Sequence, residues 1–218
     1  MKQVQPDVWE TETEHPFPGL NTHAYLLTRE DGNILFYNTG HLHEIEKFEQ
    51  LGGVARQYLS HEDELGNTLV TIADRYNSLL GGHENEIDAF SKIRKPDIIF
   101  SQGETHLNNI EIIPTPGHSA GSTCFLVRSP HAKTYLFTGD TIFLDKQHEW
   151  TAGFIKGHHN EMNRKELADS LRLLATLKPD VVFGSAFTGQ YGYEEITDNN
   201  WPEKVEQALD RLLAKNSG

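Results

Sequence analysis

The sequence predicts a layered α/β domain, and three observations carry that prediction. Strand-like stretches and stretches with helical periodicity interleave along the chain instead of gathering at one end. Hairpin patterns occur in both halves. The helical stretches carry an apolar stripe on one side, as a helix that covers a sheet must.

The elements follow in order. Residues 23–28 and 34–38 read as strands around Asp31-Gly32, a strong hairpin turn signal. Residues 44–51 read as a short helix with Ile45, Phe48 and Leu51 on one face and Gly52-Gly53 as its stop. Residues 54–59 form a strand that runs into a polar loop. Asn67 is placed to cap the next helix, whose apolar positions Leu69, Ile72, Ala73 and Tyr76 keep the helical period. Further strands are expected at 98–100, 110–113, 123–127 and 134–137. A second helix is expected from Asn163, with Glu166 placed for a capping box and Leu167, Leu171, Leu174 and Leu177 as its buried stripe. Residues 181–184 are a short apolar strand. The last helix follows Pro202, with Val205, Leu209, Leu212 and Leu213 on one side. No linker, low-complexity tract or strong internal repeat interrupts this order, so a single domain over 1–218 is expected.

Composition narrows the function. The chain has 218 residues, 37% hydrophobic and 23% charged, as expected of a soluble globular domain with a sizeable core. No apolar run reaches the roughly 18 residues of a membrane span, and the first residues lack a signal-peptide core. Cys124 is the single cysteine, which excludes an internal disulfide and a cysteine-rich zinc site. A cytoplasmic location and no membrane role are expected. The formal net charge of -13 repels phosphate backbones, so no nucleic-acid partner is expected. A small-molecule substrate or ligand remains as the partner. Most of the 12 histidines are expected on the surface, and one counts as a ligand only where its neighbours support it.

Two segments carry chemistry. Pro114-Thr115-Pro116-Gly117-His118-Ser119-Ala120-Gly121-Ser122 sets a histidine in a Pro/Gly-bracketed loop, followed by a hairpin whose second strand ends on Thr138-Gly139-Asp140. Loops after strands hold side chains where a metal can reach them. Upstream stands Leu59-Ser60-His61-Glu62-Asp63-Glu64-Leu65-Gly66. This order of motifs resembles the metallo-β-lactamase superfamily, whose first motif is His-x-His-x-Asp-His-x-Gly. The resemblance runs from about Thr22 to Ser185.

The resemblance implies a four-layer αββα sandwich with a metal site at one edge of its sheets. Two registers are open for the first motif. The preferred one matches His61 to the family's second histidine, Asp63 to its aspartate and Gly66 to its glycine. Leu59 and Glu64 then stand where relatives have histidines. Downstream, His118 matches the loop histidine, Asp140 the bridging aspartate, and Ser185 takes the place of the final histidine. Asn38-Thr39-Gly40 stands where relatives have Asp-Thr-Gly.

The expected metal ligands are therefore His61, Asp63, Glu64, His118 and Asp140. His61, His118 and Asp140 form a two-histidine, one-carboxylate set that suits Zn or non-haem Fe and leaves room for water. The second position, with Asp63, Glu64, Asp140 and Ser185, is rich in oxygen and suits harder ions such as Mn or Mg. With ligands missing from both positions, at most one tightly bound divalent metal (Zn, Fe or Mn) is expected. Three converging carboxylates need a cation or a proton, since two like charges about 4 Å apart repel by roughly 4 kcal/mol at an effective dielectric of about 20. His41, His43, His83, His158 and His159 are candidates to replace a lost ligand.

Two functions remain open. One is a metal-dependent hydrolase acting on a small ester, thioester or lactone-type molecule, with Asp63 orienting or deprotonating water and Glu64 as an auxiliary base. The other is a non-catalytic, metal-free descendant of the fold that binds a ligand or protein. Leu59, Ser185 and Asn38 favour the second, because each removes a polar group that the complete site would use.

Overall fold

The first 27 residues already form three strands of one sheet, although no alternating pattern marks the first two. Lys2–Gln5 pairs with Val8–Glu10, which pairs with Tyr25–Leu27. The computed structural model describes residues 1–154 and 160–214. The chain folds as two compact units, Met1–Ser101 and Gln102–Gly218.

The first unit is built on a seven-stranded sheet. Its order is Lys2–Gln5, Val8–Glu10, Tyr25–Leu27, Ile34–Phe36, Arg56–Tyr58, Leu79–His83 and Ile98–Phe100. Strands joined by hairpins pair antiparallel, and the strands after helical crossovers pair parallel. The expected hairpin at Asp31-Gly32 is present, with Leu26 opposite Leu35. The expected helix after it is present, begins two residues earlier and stops at Gly52 as expected, but its last turn is not α-helical. Leu42–Lys47 is α-helical, Phe48–Leu51 tightens to a 3-10 turn, and Gly52 stops it in the left-handed region at φ 97. The helix Thr68–Tyr76 forms with Leu69 and Ile72 buried, but Asn67 is itself helical in backbone and its side chain makes no cap. The strand Leu79–His83 escaped the sequence reading because Gly81 and Gly82 carry no side chain to pattern. Both glycines lie against aromatic rings, where a Cβ at Gly82 would sit 2.4 Å from Phe90.

The second unit has a six-stranded sheet. Its order is Glu104–His106, Ile110–Pro114, Thr123–Arg128, Thr134–Gly139, Val181–Gly184 and Tyr193–Glu195. The Thr134–Gly139 and Val181–Gly184 pair is parallel, and the others are antiparallel. The helices Glu161–Leu174 and Trp201–Ala214 share one apolar cluster, in which Leu167, Leu171 and Leu174 meet Trp150, Trp201, Val205 and Leu212. Two expectations are corrected here. Asn160, not Asn163, caps the first of these helices, and its reciprocal partner is Asn163, so Glu166 is not the box residue. Leu213 is exposed, because the buried stripe runs through Val205, Ala208 and Leu212. Among the described residues, no helix is long and apolar enough to cross a membrane.

Candidate metal centre

In the first unit, Ile34–Phe36, Arg56–Tyr58 and Leu79–His83 run parallel, so the loops at their carboxyl ends share one sheet edge. That edge is where parallel sheets expose functional groups. His61 sits in the loop after Arg56–Tyr58, in extended backbone and 2% exposed. Its Nδ1 lies 2.8 Å from Ser60 Oγ, and its Nε2 lies 3.8 Å from Asp63 Oδ2. The latter is longer than a hydrogen bond, yet within the roughly 4 Å that two ligands of one ion can span at about 2.0–2.1 Å each.

Asp63 and Glu64 share the single 3-10 turn Glu62–Glu64, which sends them in different directions. Asp63 is 46% exposed. The Glu64 side chain is 5% exposed and turned back. Its Oε1 accepts from Ser60 Oγ at 2.5 Å and its Oε2 from the Ser60 amide at 2.8 Å. Both oxygens of this expected ligand are thus taken up by Ser60. The expected crowding of carboxylates within this loop does not arise, because Glu64 faces away from Asp63's side of the imidazole.

Asn38 braces the same loop. Its Nδ2 donates to the Glu64 carbonyl at 3.1 Å, and its Oδ1 accepts from Gln57 and Thr68, each at 3.2 Å. Leu59 is buried in an apolar cluster with Leu69, Leu80 and Phe90.

In the second unit, the sheet directions again collect the loops. Ile110–Pro114 is two antiparallel steps from Thr134–Gly139 and so runs the same way, as does Val181–Gly184. The loops carrying His118, Asp140 and Ser185 therefore leave the same edge. His118 Nδ1 lies 3.1 Å from the Gly153 carbonyl, which only accepts, so Nδ1 carries the proton. Its Nε2 lies 3.9 Å from Asp140 Oδ2. Asp140 is oriented by the Ala186 amide, which donates to Oδ1 at 3.0 Å. The Ser185 amide donates to the Gly139 carbonyl at 3.0 Å.

The position before His118 requires a glycine. The φ of Gly117 is 134, and a Cβ there would lie 2.3 Å from the Leu167 backbone nitrogen. Ser170 Oγ donates to the Pro116 carbonyl from the same helix. Behind the loop, Cys124 is buried against Thr115, and burial pushes its thiol up to about 11.

Three of the candidate replacement ligands are engaged elsewhere. His43 pairs with Glu12 at 2.9 Å, His41 Nε2 lies 3.4 Å from the Thr13 carbonyl, and His83 Nδ1 accepts the Asn85 amide. Glu12, His43 and the buried Glu44 form a further group with metal-ligand spacing. It brings its own cation, since Lys47 Nζ reaches Glu44 at 2.5 Å and Glu12 at 3.2 Å. Hydrogen bonds from His43 and Lys47 hold the Glu12 carboxyl down at about 2. His158 and His159 lie outside the described residues.

Sequence reasoning missed Ser60, the Gly153 carbonyl and the Ala186 amide. Only Ser60 left a signal, as a hydroxyl four residues before Glu64. The two backbone groups leave none, because any residue supplies them.

The sequence model of the metallo-beta-lactamase superfamily matches residues 37–186, a span that holds both motif loops. Solved structures with the same fold include a mutant of the HARLDQ-motif metallo-beta-lactamase from Cronobacter sakazakii. It is 14% identical at a TM-score of 0.70, over 98% of this chain and 94% of that one. A metallo-beta-lactamase family protein from Thermus thermophilus is 17% identical at 0.68, over 98% and 81%. An archaeal superfamily protein from Sulfolobus tokodaii is 18% identical at 0.66, over 97% and 88%. These likenesses establish an α/β fold of the metallo-β-lactamase type.

Proposed function

We propose, because the chain belongs to the metallo-beta-lactamase superfamily, that it is a metal-dependent hydrolase of small molecules. In this reading the two units make one domain over 1–218. His61 and Asp63 from one motif loop and His118 and Asp140 from the other hold a single divalent ion.

One observation supports it most. Each unit presents the same construction, a buried imidazole with Nδ1 beside an oxygen and Nε2 within 3.9 Å of a carboxylate oxygen. Two nitrogens and two carboxylate oxygens suit Zn, non-haem Fe or Mn and leave room for water. Leu59 and Ser185, in place of two imidazoles, limit the expectation to one tightly held ion. A bound ion would supply hydroxide near neutral pH and polarise an ester or carbonyl oxygen.

The chain's own residues then have distinct tasks. Asp63, the most exposed of the four, is placed to orient or deprotonate a water. With both Glu64 oxygens engaged by Ser60, we assign that task to Asp63 alone. Asp140, held by the Ala186 amide, and the two imidazoles keep the water-facing groups in register. The substrate class is a small ester, thioester or lactone, and the net charge of -13 disfavours polyanions. The proposed cytoplasmic setting rests on the single cysteine and on a sequence with no apolar run of membrane-spanning length.

Leu59 favours a second reading, a metal-free descendant that binds a ligand or protein. Its side chain is committed to an apolar cluster at a position where relatives place a ligand. Metal content and hydrolysis together decide. After dialysis, elemental analysis should find about one equivalent in the wild type and a clear loss in His118→Ala. Hydrolysis of p-nitrophenyl acetate, a thioester or a lactone should fall with chelator and in that variant. No bound metal and no metal-stimulated hydrolysis would establish the second reading.

A further inference from the structure

We infer that Glu64 is a positioning residue that fixes, through Ser60, which nitrogen of His61 carries the proton. The consequence for metal binding rests on the function proposed above, but the proton assignment does not.

The argument is a count of hydrogens. Ser60 Oγ has one hydrogen and two neighbours, Glu64 Oε1 at 2.5 Å and His61 Nδ1 at 2.8 Å. A carboxylate only accepts, so the hydroxyl hydrogen goes to Glu64. Ser60 Oγ then faces the imidazole with lone pairs alone, and Nδ1 must be the donor. The single proton of the neutral ring is on Nδ1, and Nε2 keeps the lone pair a metal needs. Nε2 is also the nitrogen that lies beside Asp63. The Ser60 amide holds the second carboxylate oxygen at 2.8 Å, so the carboxylate cannot swing away without losing two bonds.

His118 reaches the same state by a simpler route, since the Gly153 carbonyl accepts from its Nδ1. The first motif loop instead sets a hydroxyl beside His61 Nδ1, and a hydroxyl by itself could bond either way. Glu64 removes that freedom. A residue standing where relatives have an imidazole has thus been put to use behind the neighbouring imidazole.

The test reads the proton directly. Long-range ¹H–¹⁵N correlation spectra of metal-free, full-length protein with ¹⁵N-histidine, above the imidazole titration, should show His61 protonated on Nδ1. Glu64→Gln keeps the shape but can offer only one acceptor oxygen. The Ser60 amide claims that oxygen, the side-chain amide turns its NH₂ to Ser60 Oγ, and the hydroxyl hydrogen moves to His61 Nδ1. The ring should then switch to protonation on Nε2. Zinc affinity should fall about 10–100-fold, the usual cost of losing an outer partner of a ligand. Wild-type His61 protonated on Nε2, or Glu64→Gln leaving Nδ1 protonated, would overturn the inference. A switch in Glu64→Gln supports it even if neither protein binds zinc, in which case the proposed function fails alone. Should Glu64→Gln not fold, Glu64→Ala replaces it. With the carboxylate gone, both from Ser60 Oγ and from its place 3.4 Å from His61 Nδ1, the hydroxyl is free to bond either way and the ring should show a mixture of the two forms, whereas an unchanged Nδ1 form would overturn the inference.

Discussion

Asp140 accepts the Ala186 amide on Oδ1 at 3.0 Å, and its Oδ2 then lies 3.9 Å from His118 Nε2. One oxygen anchors the side chain and the other is left for chemistry. Asp140→Asn separates these tasks, because the amide oxygen still accepts from Ala186 while NH₂ replaces the second oxygen. Unfolding free energy should change by less than about 1 kcal/mol, the net worth of one hydrogen bond. Metal affinity should fall by more than the roughly 10–100-fold that an outer partner costs. Denaturant unfolding and isothermal titration measure the two effects, and equal metal affinities would remove Asp140 from the ligand set.

Asn38 should resist reversion to the aspartate of its relatives. Its Nδ2 donates to the Glu64 carbonyl, and a carboxylate would set an acceptor against that acceptor. Asn38→Asp is expected to cost about 1–3 kcal/mol in urea unfolding. A variant as stable as the wild type would show that another group braces the loop.

Repair of the first motif should come at a cost to folding. Leu59 packs with Leu69, Leu80 and Phe90, so Leu59→His places an imidazole in apolar surroundings. The metal-free variant should lose roughly 2–4 kcal/mol through lost packing and unpaired nitrogen. Zinc should return part of that loss only if the new ring can turn towards His61. An unfolding midpoint unaffected by zinc would mean that it stays in the apolar cluster.

Cys124 should be inert in the folded protein. Burial raises its thiol from 9.0 to about 11, and the thiolate is the reactive form. At pH 8, labelling by an aromatic disulfide reagent should proceed at the rate of global opening and become rapid in urea. The sign of the linkage follows from the raised value. The contribution to stability is complete below about 9.0 and is lost as pH climbs through about 11. Fast native labelling would place the thiol nearer solvent.

Much of the frame is legible in the chain, for identifiable reasons. The hairpin at Asp31-Gly32 and the stripe of Leu167, Leu171 and Leu174 announce themselves, since turn chemistry and apolar period are local. The strand Leu79–His83 does not, since its glycines are chosen by the rings of Phe90 and Tyr58 that lie over them. The candidate residues His61, Asp63, His118 and Asp140 can be picked out by motif. Glu64's orientation cannot, because one 3-10 turn decides it. Nor can the partners of His118 and Asp140, because both are backbone groups.

Gly117 has a practical consequence for anyone who would reshape this protein. Its Cα rides on the backbone of Leu167, and the preceding carbonyl is tethered to Ser170. The histidine that follows is thus mounted on a helix rather than on a free loop. Library designs that vary residues 163–169 will retune the aim of that histidine from a distance, whereas diversifying 117 or 170 directly will mostly yield chains with the mounting stripped.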